Sequence, residues 1–301
     1  MHRWKQPKKA FYELRFQSTY SDKKGLEFQN FFSTIMEMLY PGDFHRVAVS
    51  QGDQKCDGLL KSKQMLFQVY APDKLETYRT IEKIKNDYYG AVRHWKDDFK
   101  TWVFVHNNRH GLPPKVLHVL LEIGKPDKIV QEWGYQPFYE EACKLRDDQW
   151  DRLFPGAPSE SGMVDLELED LMPVLDQIAA SDLVDDAQIR PVPESKLDHN
   201  MLSKSVKQLL KTGMERADLV LKYSKLDPTR MDGIAAKFRQ KYAELRERGT
   251  SADNIFVRLQ EFAAGNQLNS PGRQCAVLAV LAHFFEECDI FENPQADGVS
   301  R

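Results

Sequence analysis

The chain has 301 residues, a formal net charge of −3, and 42% hydrophobic, 11% aromatic and 29% charged residues. This length predicts two domains, and this composition excludes disordered and fibrous proteins. The longest apolar run, Cys275 to Phe285, is interrupted by His283 and is too short to span a bilayer, so we expect no transmembrane helix.

The N-terminus and the cysteines predict a cytoplasmic protein. Met1 to Lys5 is basic, but no apolar segment follows it, so we expect no secretory signal. The four cysteines are scattered, without a C-x-x-C pair, which argues against a zinc ribbon or a disulfide framework and fits a reducing compartment.

Charge is unevenly distributed. Between Leu153 and Ile189 there are nine acidic residues and no Lys or Arg, so this segment carries −9 and the rest of the chain carries +6. The sequence therefore predicts a mildly basic body interrupted by an acidic connector.

Up to about residue 154, helical and strand patterns alternate. The run TWVFVH (101–106) is almost continuously apolar, as expected of a strand covered on both faces. The predicted elements are a helix over 24–39, strands over 44–49, 58–60 and 65–70, a helix over 75–96, a strand over 101–106, a helix over 113–121 and a strand over 128–133. This order predicts an α/β domain with a mixed sheet flanked by helices.

The second domain is predicted to be all-α. Pro155 to Ser159 breaks the α/β pattern, and the acidic connector (155–194) contains one short helix, from about Leu168 to Ala180. From 195 to 301 no strand pattern recurs, and we expect a bundle of four or five helices. Asp227-Pro228 marks the start of one helix and Gly249 its end.

The candidate catalytic residues lie between residues 27 and 70. Glu27 is on the first predicted helix, Asp57 follows Lys55 just before the first hairpin arm, and Gln68 lies eleven residues further on, within the second arm. Oxygen ligands at adjacent strands can hold Mg²⁺ for phosphodiester hydrolysis. A simple turn at Asp57-Gly58 and a solvated Glu27 are the alternatives.

This pattern resembles the Mrr-like branch of the PD-(D/E)XK restriction-endonuclease superfamily, in which an Asp is followed about ten residues later by Q-x-K. The resemblance implies a restriction-endonuclease-like fold and a Mg²⁺ or Mn²⁺ ion held by Asp57, Gln68 and Glu27. Tyr70 stands where the motif Lys is expected. A phenol cannot replace that cation, so a lysine from elsewhere would be needed, with Lys55 the first choice and Lys61 and Lys63 as alternatives.

Three further basic residues are candidates for nucleic-acid contacts. Arg109 follows the strand 101–106, and Lys83 and Arg93 lie on the helix 75–96. Beside a nuclease site these cations would hold phosphates, and the alternative is an ordinary solvated surface. His106 is more readily explained as a structural residue.

The C-terminal region carries a second resemblance. The apolar run from Ala276 to Glu292, together with Asp253 to Phe256 and Asp227-Pro228, is similar to the C-terminal domains of bacterial ABC three-component defence systems. The region 11–125 is similar to effector domains of the same systems, of which Lamassu is a type. The resemblance implies docking on an SMC-like ABC ATPase and a further accessory subunit.

The sequence thus predicts a restriction-endonuclease-like domain (1–154), an acidic linker (155–194) and a helical interaction domain (195–301). The predicted function is the DNA-cleaving effector subunit of an anti-phage complex. The alternative is a catalytically inactive nuclease-fold adaptor that binds DNA or docks on the ATPase. Homo-oligomerisation on activation stays open.

Overall fold

The computed structural model describes residues 6–47, 56–124, 127–181, 200–287 and 290–291. The described residues form two compact units. Residues 19–149 form one, here called the sheet unit, and residues 6–18 together with those from 150 onward form the other, here called the helical unit. Helix α1 (Gln6–Asp22) therefore begins in the helical unit and ends in the sheet unit.

The sheet unit is a five-stranded mixed sheet with helices on both faces. Its elements are α2 (Gly25–Leu39), β1 (Phe44–Arg46), β2 (Gly58–Leu60), β3 (Met65–Tyr70), α3 (Thr77–His94), β4 (Thr101–His106), α4 (Pro114–Ile123), β5 (Ile129–Trp133) and α5 (Tyr135–Ala142). The strand order is β1-β2-β3-β4-β5, with β1, β2 and β3 antiparallel and β3, β4 and β5 parallel. This architecture confirms the predicted mixed sheet flanked by helices.

Aromatic side chains fill the sheet face that is covered by α2 and α5. The Phe67 ring lies 5.3 Å from Phe32 of α2 and 5.4 Å from Trp133 of β5. Phe138 of α5 completes the cluster at 5.3 Å from Phe32. Gly58 is required here because a Cβ at this position would lie 2.4 Å from the ring of Phe44.

The opposite face is covered by α3 and α4. Trp102 and Phe104 of β4 pack with Ile84 and Tyr88 of α3 and with Leu120 of α4. All six residues of β4 are buried, which explains why its sequence reads as a continuous apolar run. Burial on both faces is expected of β4 because it is an interior strand, paired with β3 of the hairpin on one side and with β5 on the other.

Among the residues that the structure describes, the helical unit contains α-helices and a 3-10 helix (Gly265–Gln267) and no strand. Its elements after residue 149 are the rest of α6 (Asp147–Leu153), α7 (Glu160–Val164), α8 (Leu168–Ala179), α9 (Lys204–Met214), α10 (Ala217–Leu226), α11 (Pro228–Glu247), α12 (Ala252–Ala264) and α13 (Pro271–Glu286). The predicted start and end of α11 are confirmed, since the Asp227 side chain accepts a hydrogen bond from Arg230 N–H and Gly249 has a φ of +69°.

Helix α13 is the centre of the helical unit. Every residue from Gln274 to Phe285 is buried, so its apolar sequence reflects packing on all sides. Helix α9 approaches it closely at Gly213, where a Cβ would lie 2.2 Å from the carbonyl oxygen of Leu278. Helix α8, which falls within the predicted acidic linker, packs on the same centre through Leu171 and Val174.

The N-terminal part of α1 belongs to the helical unit through specific contacts. Tyr12 stacks on Trp150 with ring centroids 5.5 Å apart. Arg15 pairs with Glu261 of α12 at 3.2 Å, and Gln17 donates a hydrogen bond to Asp253 at 2.7 Å. Burial lowers the pKa of the Arg15 guanidinium, and Glu261 opposes that shift.

Candidate functional site

Asp57 and Gln68 meet at the open end of the β2–β3 hairpin. Asp57 N–H donates to the Phe67 carbonyl at 2.8 Å, just beyond the last β2–β3 pair (Gly58 with Phe67), and the Asp57 carboxylate accepts from Gln68 Nε2 at 2.7 Å. Both side chains are buried, with 5% of Asp57 and 2% of Gln68 exposed. The convergence of these two residues is the arrangement on which the predicted site depends.

The Asp57 carboxylate accepts hydrogen bonds from three N–H donors. Gln68 Nε2 and Val69 N–H donate to Oδ2, at 2.7 and 2.6 Å, and Gln29 Nε2 donates to Oδ1 at 2.6 Å. An ionised carboxylate is an acceptor with about four lone-pair positions, so these donors match its chemistry. The site is therefore a buried acceptor surrounded by amide groups.

One polar atom in this cluster has no partner in the described structure. Gln68 Oε1 is buried and accepts no hydrogen bond, because the amide directs its nitrogen toward Asp57. A buried carbonyl oxygen without a donor is costly and is the kind of exception that points to a missing ligand or ion.

The α2 residue that reaches Asp57 is Gln29. Glu27, the acid predicted to share the site, lies in the exposed first turn of the same helix. Gln29 was not predicted from the sequence, because a glutamine two residues after Glu27 belongs to no recognised motif. Lys55 lies outside the described residues, and within the described part of the chain no group of three or more His, Cys, Asp or Glu side chains is arranged to hold a metal ion.

A lysine does lie beside Tyr70, the residue at the position of the motif Lys. Lys83 of α3 places its Nζ 5.6 Å from the centre of the Tyr70 ring and 2.7 Å from Asp87 Oδ2. Tyr70 follows Gln68 by two residues on β3, so the two residues point to the same side of that strand. Lys61 and Lys63, two of the lysines predicted as substitutes for the motif Lys, lie at the closed end of the hairpin, where Lys63 donates to the Tyr40 hydroxyl at 2.9 Å.

The histidine at the end of β4 makes structural contacts. His106 is 1% exposed, its Nδ1 accepts from Asn108 N–H at 3.1 Å, and its Nε2 faces Glu132 at 2.5 Å. The proton is therefore on Nε2 and is donated to Glu132. Arg109 is exposed beyond this strand end, as is Arg93 near the end of α3.

Comparison with known proteins gives one match, to the helical part of the chain. Residues 169–292 match the family model of CTD10, described as C-terminal domain 10 of the ABC-three component (ABC-3C) systems. The C-terminal region is similar to an ABC-3C C-terminal domain. No curated protein and no solved structure matches the chain.

The ABC-3C match covers less than half of the chain, all of it in the helical unit. It begins within α8, inside the segment predicted to be a linker, which agrees with the packing of α8 on α13. The sheet unit lies outside the matched residues. No described helix is both long enough and apolar enough to cross a membrane.

Proposed function

We propose that the chain is the nuclease effector of an ABC-3C anti-phage system, with a restriction-endonuclease-like sheet unit and an active site at Asp57 and Gln68. The observation that carries this proposal is the convergence of the buried Asp57 carboxylate with the buried Gln68 amide, whose Oε1 accepts no hydrogen bond. The mixed five-stranded sheet flanked by helices is compatible with the restriction-endonuclease-like fold that the resemblance implies, and it supports the proposal as well.

The donor chemistry fits a divalent cation. A carboxylate oxygen and an amide oxygen are ligands of the kind that Mg²⁺ and Mn²⁺ accept, and Mg²⁺ keeps several waters where the protein supplies few ligands. Asp57 and Gln68 would hold the ion, with the Gln68 amide turned so that its oxygen faces inward. A bound ion would supply an activated water and neutralise charge on the phosphate.

Lys83 is the described residue best placed to supply the cation that Tyr70 lacks. Its ammonium lies over the Tyr70 ring, and a third of its side chain is exposed, so it is both positioned and accessible. Asp87, only 2% exposed, holds it by a close ion pair. We expect Lys83 to orient the scissile phosphate, whereas Arg109 and Arg93 contact the backbone further away.

The decisive experiment is a cleavage assay with Mg²⁺ or Mn²⁺ on plasmid DNA, oligonucleotides and RNA, using the full chain alone and with its ABC-3C partner subunits. Asp57→Asn should abolish cleavage, and Asp43→Asn, in the turn before β1 and beside Ser62 at the closed end of the hairpin, should not. Lys83→Met should reduce the rate, Lys83→Arg should retain part of it, and Arg79→Met, at an exposed cation of the same helix, is the matched control. Equal cleavage by the wild type and Asp57→Asn would exclude this site.

The second candidate is a nuclease-fold adaptor without catalysis. It is favoured by the three N–H donors that already occupy the Asp57 carboxylate and by Tyr70 in place of the motif Lys. Absence of cleavage by the assembled complex, together with nucleic-acid binding that does not depend on Mg²⁺, would establish the adaptor and reject the nuclease.

The helical unit is the proposed attachment site for an SMC-like ABC ATPase and an accessory subunit. The ABC-3C match supports this role, and α13 at its centre carries packing residues rather than chemistry. Co-expression of the three subunits should give one co-eluting complex in size-exclusion chromatography. Separate elution of this chain at all nucleotide states of the ATPase would contradict the role.

A further inference from the structure

Helix α3 presents an unusual row of side chains to solvent. Tyr78, Glu82, Lys85, Tyr89 and Arg93 follow one another at intervals of three or four residues and are all exposed, so they lie along one face. This row is here called the tyrosine face. Tyr78 is 72% exposed and Tyr89 is 51% exposed, so packing within the protein does not account for these two large rings.

Cations lie next to both rings. Lys115 of α4 places its Nζ 5.6 Å from the centre of the Tyr78 ring. Lys85 and Arg93 flank Tyr89 one turn before and one turn after it. Tyr89 is also steadied by an edge-to-face contact with the buried Tyr88, with ring centroids 5.5 Å apart.

We infer that the tyrosine face binds single-stranded nucleic acid. Exposed aromatic rings interleaved with lysine and arginine are suited to a strand whose bases stack on the rings while its phosphates contact the cations. The two tyrosines are eleven residues apart, or about 16 Å along the helix, so they can stack on separate bases of one strand.

The composition of the face favours this ligand over a duplex or a protein. In a duplex the base faces already stack on one another, whereas unpaired bases offer their faces to aromatic side chains. Lysine is depleted at the centre of protein interfaces, yet Lys85 and Lys115 lie beside the rings. The inference deepens the proposed function, on which it rests, by naming single-stranded nucleic acid as the substrate class.

The test is fluorescence anisotropy of the full chain with a labelled oligothymidylate of about 20 nucleotides and with a duplex of the same length. EDTA is present throughout, so that cleavage does not interfere. The single strand should bind more tightly than the duplex. Tyr78→Ala and Tyr89→Ala should each raise Kd for the single strand by at least about fivefold, whereas the Tyr→Phe variants should bind like the wild type.

Two controls separate stacking from general surface effects. Leu121→Ala on α4 removes a side chain that is 73% exposed, as Tyr78 is, and should leave Kd unchanged. Lys85→Gln should lower the salt dependence of binding by about 0.7 in the slope of log K against log salt concentration. Unchanged Kd in both Tyr→Ala variants, or no binding to either oligonucleotide, would overturn the inference.

Its failure is distinguishable from failure of the nuclease proposal. Loss of binding in the Tyr→Ala variants without cleavage by any form of the chain would retain the tyrosine face and reject the nuclease. Cleavage by those variants with unchanged KM for single strands would retain the nuclease and reject the tyrosine face as the binding site. Release of a partner subunit by Tyr78→Ala and Tyr89→Ala, with oligonucleotide binding unchanged, would identify a protein interface and also overturn the inference.

Discussion

Removal of the Asp57 carboxylate should destabilise the sheet unit strongly. In Asp57→Ala, the donors Gln68 Nε2 and Val69 N–H are left buried without an acceptor, and each stranded donor costs about 1–3 kcal/mol. Gln29 is only partly buried and can turn toward water, so its loss adds little. We expect a decrease in the free energy of unfolding of about 2–6 kcal/mol, a large part of the 5–15 kcal/mol typical of a domain.

The assay must report on the sheet unit alone, because a chain with two units does not unfold as a single two-state system. Hydrogen exchange with mass spectrometry of peptides covering residues 57–70, measured over a urea series, gives the local free energy of opening. Asp57→Asn retains one acceptor oxygen and should lose about 1–3 kcal/mol, which makes it the better variant for the cleavage assay.

Asp43→Ala is the matched control. Asp43 also accepts two hydrogen bonds, from the Ser62 amide and hydroxyl groups at 2.8 and 2.5 Å, and these bonds lower the pKa of its carboxyl. It is open to water, so its removal should change the opening free energy far less. If the Asp57→Ala and Asp43→Ala variants opened equally easily, the donors around Asp57 would not be held by its carboxylate and the reasoning would be refuted.

Three other predictions concern packing, a buried cation and pH. Gly213→Ala should lower the melting temperature sharply and cost at least about 2 kcal/mol, because the new Cβ would meet a backbone carbonyl of α13. Gly233→Ala, inside α11 and with open space around it, should instead stabilise the protein by about 0.5–1 kcal/mol. Lys128→Met should lower the free energy of unfolding in urea by about 2–5 kcal/mol. Lys128 Nζ donates to the Phe99 carbonyl at 2.6 Å and to the Lys96 carbonyl at 2.7 Å, and both carbonyls would lose their partner. Burial lowers the pKa of His283, so the unfolded chain takes up the proton first as the pH drops, and thermal stability should fall below about pH 6.5. This fall should be smaller in His283→Gln. Equal curves of melting temperature against pH for the two proteins would contradict the prediction.

The β2–β3 hairpin and strand β4 were predictable from sequence because their signals are local. A four-residue connection between Leu60 and Met65 fixes the register, and that register brings Asp57 and Gln68 to the same end of the hairpin. The buried run of β4 likewise follows from its uninterrupted apolar residues. These elements were predicted with nearly their observed bounds.

Helix α1 and the contacts around the site were not predicted, for physical reasons. Tyr12, Phe16 and Tyr20 repeat every four residues and signal a helix, but Phe11 and Leu14 are also buried, which widens the apolar stripe and blurs the period. The contacts of Gln29 with Asp57 and of Lys83 with Tyr70 depend on how α2 and α3 are rotated against the sheet. That rotation is set by tertiary packing rather than by spacing along the chain.

The split membership of α1 has a practical consequence for dissecting the chain. The sheet unit is a sequence insertion, with residues of the helical unit both before and after it. A fragment that begins near residue 150 would lack the contacts made by Tyr12, Arg15 and Gln17, and it would leave the buried Trp150 and Asp253 facing water. Recombinant fragments of the C-terminal half should therefore carry residues 6–18, fused through a short flexible bridge in place of the excised insertion.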